Sequence, residues 1–159
     1  MNISDSLFPL LLEEILKLEQ LTQQLCERNA QYLSTFPSEI SMGIHYTLKK
    51  DARFFSDYGI YTSQIQKIIH HIDRCILSIT NIMHKADRAL QISPIRQGDQ
   101  VLRAYHTLLK SYDSLLEKTQ SLITGSTDTI NGSKLFQWVK EIQYKTQHFS
   151  AFLLEISKK

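Results

Sequence analysis

The sequence "VLRAYHTLLKSYDSLLEKTQSLI", residues 101–123, places apolar residues at alternating intervals of four and three, which is the pattern of a helix that packs along its length. The row comprises Val101, Tyr105, Leu108, Tyr112, Leu115, Thr119 and Leu122. A second row runs beside it and comprises Leu102, Leu109, Leu116 and Ile123. Two rows make an apolar face that is too wide for a simple two-stranded coiled coil, so we expect this helix to touch two or more neighbours.

The same spacing occurs in the first and last parts of the chain. In the first helix the row comprises Leu11, Ile15, Leu18, Thr22, Leu25, Asn29 and Tyr32. In the last helix it comprises Leu135, Val139, Ile142, Thr146, Phe149, Leu153 and Ile156. Thr22 and Asn29 are polar, and we expect such core positions to fix the register of the helices rather than to add stability.

The apolar row of the second helix continues from residue 38 to 91 without a clear stop. The predicted positions in its second half are Thr62, Ile65, Ile69, Ile72, Ile76, Ile79, Met83, Ala86 and Leu90. Uninterrupted, such a helix would be about 80 Å long at 1.5 Å per residue. Gly59 is the expected place for a kink or a break, because glycine is unfavourable inside helices. We favour one long helix that is kinked or broken near Gly59, and a five-helix arrangement remains open.

The predicted fold is therefore all-α, an elongated antiparallel bundle of four long helices in a single domain of residues 1–159. Approximate helix bounds are 5–34, 38–91, 99–124 and 133–157. The segment "ISPIRQGD" is expected to interrupt the chain, with Asp99 capping the third helix. The polar segment "TGSTDTINGS" is expected to form the longest loop, with Ser133 capping the fourth helix.

Composition excludes several classes of function. Eighteen basic and sixteen acidic residues give a net charge of +2, far from the concentrated positive charge that binds nucleic acid. No stretch approaches the roughly 20 apolar residues that span a bilayer. The N-terminal residues lack the cationic region of a signal peptide, so we expect a cytoplasmic protein without a membrane span.

A metal site is the first chemical possibility to weigh. His71 and Cys75 are four residues apart and would share one helix face, where they could supply two ligands. A further pair is needed, yet the sequence contains no CxxC, HxxxH or ExxH motif. We therefore expect no metal and no other cofactor.

The segment "IHYTLKKDARFFSDYG", residues 44–59, contains His45 and resembles the His-x-x-Lys-Gly segment of histidine phosphotransfer domains. That family is helical, and the resemblance implies phosphoryl transfer through His45 as an alternative function. The chain departs from the motif because Lys49 and Lys50, rather than residue 48, carry the positive charge, and no glycine follows them.

The preferred function is non-catalytic. Wide apolar faces exceed what one core can bury, and surplus apolar area marks protein interfaces. The predicted partner-binding residues are Leu102, Leu109, Leu116, Ile123, Phe136, Trp138 and Phe152. We expect an interaction protein, either a subunit or adaptor of a larger coiled-coil or helical-bundle complex, or a homo-oligomer. An export chaperone that shields a hydrophobic client helix is a second alternative.

Overall fold

A computed structural model describes the backbone of residues 3–36, 38, 47–49, 52–124 and 129–158, and the side chains of 7–36, 38, 56–120 and 132–158. Its four long helices are α1 (Ile3–Leu33), α2 (Ala52–Arg88), α3 (Ile92–Thr124) and α4 (Gly132–Ser157). Two short strands, β1 (Thr47–Lys49) and β2 (Thr129–Asn131), pair antiparallel with Leu48 opposite Ile130.

The helices form an antiparallel bundle in which each packs against its two neighbours. Helix α1 contacts α2 and α4, helix α3 contacts the same two helices more loosely, and α1 lies diagonally across from α3. Near one end of α1, Gln143 Nε2 of α4 donates a 3.1 Å hydrogen bond to the carbonyl oxygen of Cys26. This arrangement confirms the predicted all-α, four-helix fold.

Core positions in α1, α3 and α4 agree with the predicted spacing. In these three helices every predicted core residue whose side chain is described is buried. The side chain of Leu122, the remaining predicted core residue of α3, lies outside the described residues. An alternating spacing of four and three therefore identified the helix faces that meet at the bundle axis.

In α2 the apolar row is displaced by one residue at alternate positions. The prediction placed Ile69, Ile76 and Met83 in the core, whereas these side chains are only partly buried and flank it. The residues before them, Ile68, Cys75 and Ile82, are buried instead. The sequence offers an apolar residue at both positions each time, so periodicity alone does not distinguish the core from its edge.

The start of α2 differs from the prediction. Strand β1 occupies Thr47–Lys49, inside the range predicted as helical, and α2 begins at Ala52. The helix then passes through Gly59 without interruption, so the predicted break there is not observed. Residue 59 is exposed and a Cβ added to it would have no atom within 4 Å. His45, the basis of the phosphotransfer alternative, lies outside the described residues.

The turn from α2 to α3 is shorter and lies earlier than predicted. Gln91 N donates to Ala86 O at 2.8 Å and Leu90 N donates to Asp87 O at 3.0 Å, the paired bonds of a Schellman motif. Leu90, the last predicted core position of the second helix, adopts the left-handed conformation with a φ of 56°. The prediction for Leu90 is wrong: its side chain is 88% exposed, because the helix already ends at Arg88.

Helix α3 begins at Ile92 rather than near residue 99. Pro94 is its third residue, where a backbone N–H has no acceptor within the helix, so proline is tolerated. Asp99, the predicted cap, instead lies inside α3 and forms a 3.1 Å ion pair with Arg103.

A buried hydrogen-bond network joins all four helices. Tyr61 of α2 donates to Asn29 Oδ1 of α1 at 2.8 Å, and Asn29 Nδ2 donates to Tyr112 OH of α3 at 2.9 Å. Thr146 of α4 lies 2.9 Å from Tyr112 OH and donates its own proton to Ile142 O at 2.7 Å. Tyr112 must therefore be the donor to Thr146. The hydrogen bonds therefore run in one direction, from Tyr61 through Asn29 and Tyr112 to Thr146, and each hydroxyl in the network has a hydrogen-bond partner.

Candidate functional site

A groove runs between α3 and α4 on the outside of the bundle. Its first half is a cavity of about 450 Å³, bordered mainly by apolar side chains. The residues that line it are Ala104, Thr107, Leu108, Tyr144, Lys145, His148, Phe149 and Phe152. Tyr144 is 63% exposed, and its ring meets that of His148 edge-on with centroids 4.2 Å apart. An exposed aromatic residue above an apolar cavity is typical of a surface that binds another protein.

The second half of the groove is a cavity of about 210 Å³ that shares Lys145 with the first. Its lining is more polar and comprises Lys110, Ser111, Ser114, Leu115, Lys118, Trp138, Glu141, Ile142 and Lys145. From Trp138 to Phe152 the groove follows about four turns of α4, or about 21 Å at 1.5 Å per residue. We call the two halves together the α3–α4 groove.

Short side chains on α3 explain why space remains between these helices. On the side that faces α4, the residues are Ala104, Thr107, Ser111 and Ser114, spaced three or four apart. On the side that faces α2, the corresponding positions hold leucines. Small residues do not fill the space beside the core, so α3 leaves a channel along α4 rather than a closed contact.

The lining of the second half carries more positive than negative charge. Its charged residues are Lys110, Lys118, Lys145 and Glu141. Glu141 pairs with Lys145 at 3.3 Å, and both side chains are substantially exposed, so this pair stabilises the fold little. The Nζ atom of Lys118 lies 5.5 Å from the ring centroid of Trp138. Lys110 and Lys118 are exposed and therefore leave positive charge available at this end of the groove.

The predicted partner-binding residues do not gather on one surface. Trp138 and Phe152 line the α3–α4 groove, at opposite ends of it. Leu102, Leu109 and Leu116 are half-buried on the other side of α3. They lie one helical turn from Tyr105 and Thr119, whose hydroxyl groups form hydrogen bonds with Asp73 and Tyr58 of α2.

The two remaining predicted residues lie elsewhere. Phe136 is half-buried and packs against Phe36, beyond the end of α1, with ring centroids 5.4 Å apart. Ile123 belongs to α3, but its side chain lies outside the described residues. Sequence reasoning missed Lys145 and His148, and the row of small residues on α3 is the signal that could have located them.

The pair His71 and Cys75 borders a different groove, of about 390 Å³, between α1 and α2. His71 is exposed, whereas Cys75 is buried with its Sγ 3.6 Å from Glu14 Oε2. Burial raises the pKa of the Cys75 thiol to about 11, and the Glu14 carboxylate adds to the increase. The thiolate that binds metals or attacks substrates is therefore disfavoured at neutral pH. Within the described residues, no three His, Cys, Asp or Glu side chains come together as a metal site would require.

Comparisons of this chain with protein-family models, with curated proteins and with solved structures found no match. In the described part of the chain, no helix has an apolar segment that is long enough to cross a membrane.

Proposed function

We propose that the protein is a non-catalytic helical interaction protein, a subunit or adaptor that binds one amphipathic helix of a partner protein in the α3–α4 groove. The observation that carries this proposal is the groove itself, which runs about 21 Å between two helices and has an exposed aromatic residue, Tyr144, on its rim. A helix of about fourteen residues has the same length. Bound there, it would become a fifth helix packed against α3 and α4.

The two halves of the groove define the chemistry of this partner helix. Apolar side chains of the partner would cover Tyr144, Phe149 and Phe152 in the first half. Carboxylates of the partner would meet Lys110 and Lys118 in the second half. Aromatic side chains in a partly enclosed position are the residues that contribute most to protein binding, whereas exposed lysines mainly set orientation and association rate.

A photo-crosslinking amino acid in place of Tyr144 tests the proposal directly. Crosslinked proteins are recovered from cells that express the full chain, and the attached peptide is identified by mass spectrometry. We expect a peptide with helical apolar spacing and an excess of Asp and Glu. The matched control is the same crosslinker at Leu77, which is 62% exposed on α2 and borders no described cavity.

Charge reversal provides a second arm of the experiment. Lys110→Glu with Lys118→Glu should abolish the crosslink from position 144, because the partner's carboxylates would then be repelled. Lys67→Glu, an exposed lysine on α2, should leave it unchanged. Equal crosslinking from positions 144 and 77, or an adduct without acidic residues that survives the charge reversal, would contradict the proposal.

The identity and fate of the crosslinked protein distinguish a homo-oligomer, a subunit and a chaperone. A peptide from a second copy of this chain would identify a homo-oligomer, and the sedimentation coefficient should then rise with protein concentration. A partner that remains bound after purification indicates a subunit. One that is released to a downstream receptor indicates a chaperone that shields a client helix, which is the alternative derived from the architecture.

A further inference from the structure

Two apolar side chains project from the turn between α2 and α3. Leu90 is 88% exposed and Ile92 is 70% exposed, and no other large apolar side chain in the described residues exceeds these fractions. Beside them lies a cavity of about 360 Å³, lined by Phe8, Gln91, Ile92, Ser93 and Pro94. We call Leu90, Ile92 and Phe8 the apolar tip. Apolar residues that are exposed together, rather than singly, mark a binding surface.

The backbone at the apolar tip is strained. Leu90 occupies the left-handed position that ends α2, with a φ of 56°. Glycine is the usual residue at this position, because any side chain disfavours the conformation. The Leu90 side chain buries almost nothing in return, since it points into solvent. Strained backbone of this kind concentrates at functional sites, so the side chain is better explained by a contact outside the bundle.

Basic residues flank the apolar tip along the chain. Lys85 and Arg88 occupy the last turn of α2, and Arg96 follows in the second turn of α3. All three are exposed. The acid closest to them in sequence is Asp87, which is also exposed, while the next, Asp99, is paired with Arg103. At the C-terminal end of α4, Glu155 and Lys158 carry opposite formal charges and add no net charge. Asp5 precedes Phe8 by three residues on α1, so Lys85, Arg88 and Arg96 counted against Asp87 and Asp5 leave a net formal charge of +1 around the tip.

We propose that the apolar tip docks onto an anionic membrane surface. Leu90 and Ile92 enter the boundary between lipid headgroups and acyl chains, and Lys85, Arg88 and Arg96 face anionic headgroups. Apolar residues ringed by cations are the combination that peripheral membrane proteins use. Leu90 and Ile92 are largely exposed, so a rigid protein partner would need a matching pocket, whereas a bilayer deforms around exposed side chains. This binding is independent of the α3–α4 groove.

Flotation of the full chain with lipid vesicles tests the proposal. We expect binding to vesicles of phosphatidylcholine with phosphatidylserine, little binding to phosphatidylcholine alone, and release at high ionic strength. The double substitution Leu90→Gly with Ile92→Ser should weaken binding about tenfold or more, because two apolar side chains are lost. This variant should still fold, since glycine suits the left-handed position better than leucine.

Controls separate the tip from general apolar or charge effects. Leu77→Ser removes a leucine that is 62% exposed in the middle of α2 and should not change binding. Lys85→Gln with Arg96→Gln should weaken binding to anionic vesicles by about tenfold, whereas Lys67→Gln with Arg74→Gln should have a smaller effect. Failure to bind anionic vesicles, or unchanged binding of the Leu90→Gly and Ile92→Ser variant, would overturn the proposal. An equal loss of vesicle binding in Leu77→Ser would also overturn the proposal. A failure of partner crosslinking at Tyr144 would count against the proposed function alone and not against membrane docking.

Discussion

At the scale of single residues, the buried network of Tyr61, Asn29, Tyr112 and Thr146 gives the bundle one register. Each member belongs to a different helix, and sliding any helix by a turn would leave several buried polar groups without partners. An apolar layer at this level would tolerate such a shift more easily. The network therefore contributes specificity of packing in addition to stability.

Replacing Tyr112 with phenylalanine should lower the free energy of unfolding by about 1–3 kcal/mol. The change leaves the Asn29 amide without its acceptor and removes the proton donated to Thr146. Urea unfolding followed by circular dichroism measures the effect. Tyr144→Phe is the matched control, because its hydroxyl lies on an exposed side chain. Equal stability of the two variants would show that the network contributes nothing.

Only part of this network could be predicted from the sequence. Asn29 was expected at a polar core position because it falls on the apolar spacing of α1, and it is buried. Its partners could not be assigned, because spacing along one helix carries no information about which residues of other helices lie at the same level. Tyr61 was missed for a further reason: the alternative row through Thr62 fits the same periodicity.

At the scale of elements, differences from prediction concentrate where helices begin and end. "ISPIRQGD" contains both proline and glycine, which normally indicate a loop, yet it lies within α3. Pro94 falls in the first turn, and Gly98 is buried against Met83, where a Cβ would lie 2.5 Å from Met83 Cγ and Sδ. The glycine is thus explained by close packing of α2 on α3, which a single sequence does not reveal.

Gly59 in α2 should be replaceable by alanine with a gain in stability of about 0.5–1 kcal/mol. The position is helical and exposed, and the added Cβ would meet no atom within 4 Å. The gain comes from the smaller conformational freedom of alanine in the unfolded chain. Urea unfolding of Gly59→Ala and Gly98→Ala provides a paired comparison. Gly98→Ala should gain less or lose stability, because Met83 must move, and the reverse order would contradict this interpretation.

At the scale of the whole molecule, the sequence predicted the four long helices and the core faces of α1, α3 and α4, but not the surface left open. The wide face of α3 indicated excess apolar area, and the leucines that form it are half-buried on the side of α2. The open space lies on the opposite side of α3, where the residues are small. Which flank of a helix meets a close neighbour depends on how the four helices are arranged, and periodicity does not encode that arrangement.

Buried tyrosines link the stability of the whole bundle to alkaline pH. Burial raises the pKa of Tyr112 to about 12, and it also raises the pKa values of Tyr32, Tyr61 and Tyr105 above the ordinary value. Above about pH 10 the unfolded chain therefore loses phenolic protons that the folded chain retains. Because the folded state then binds more protons, the free energy of unfolding must fall as pH rises.

The expected decrease begins near pH 10 and amounts to about 1.4 kcal/mol per pH unit for each tyrosine that remains protonated only in the folded state. Urea unfolding at a series of pH values measures it, with tyrosinate absorbance recorded in parallel. Tyr112→Phe should reduce the slope between pH 10 and 12 by the share of one tyrosine, whereas Tyr144→Phe should not. If the slope were the same in both variants, then the protons lost on alkaline unfolding would come from groups other than Tyr112.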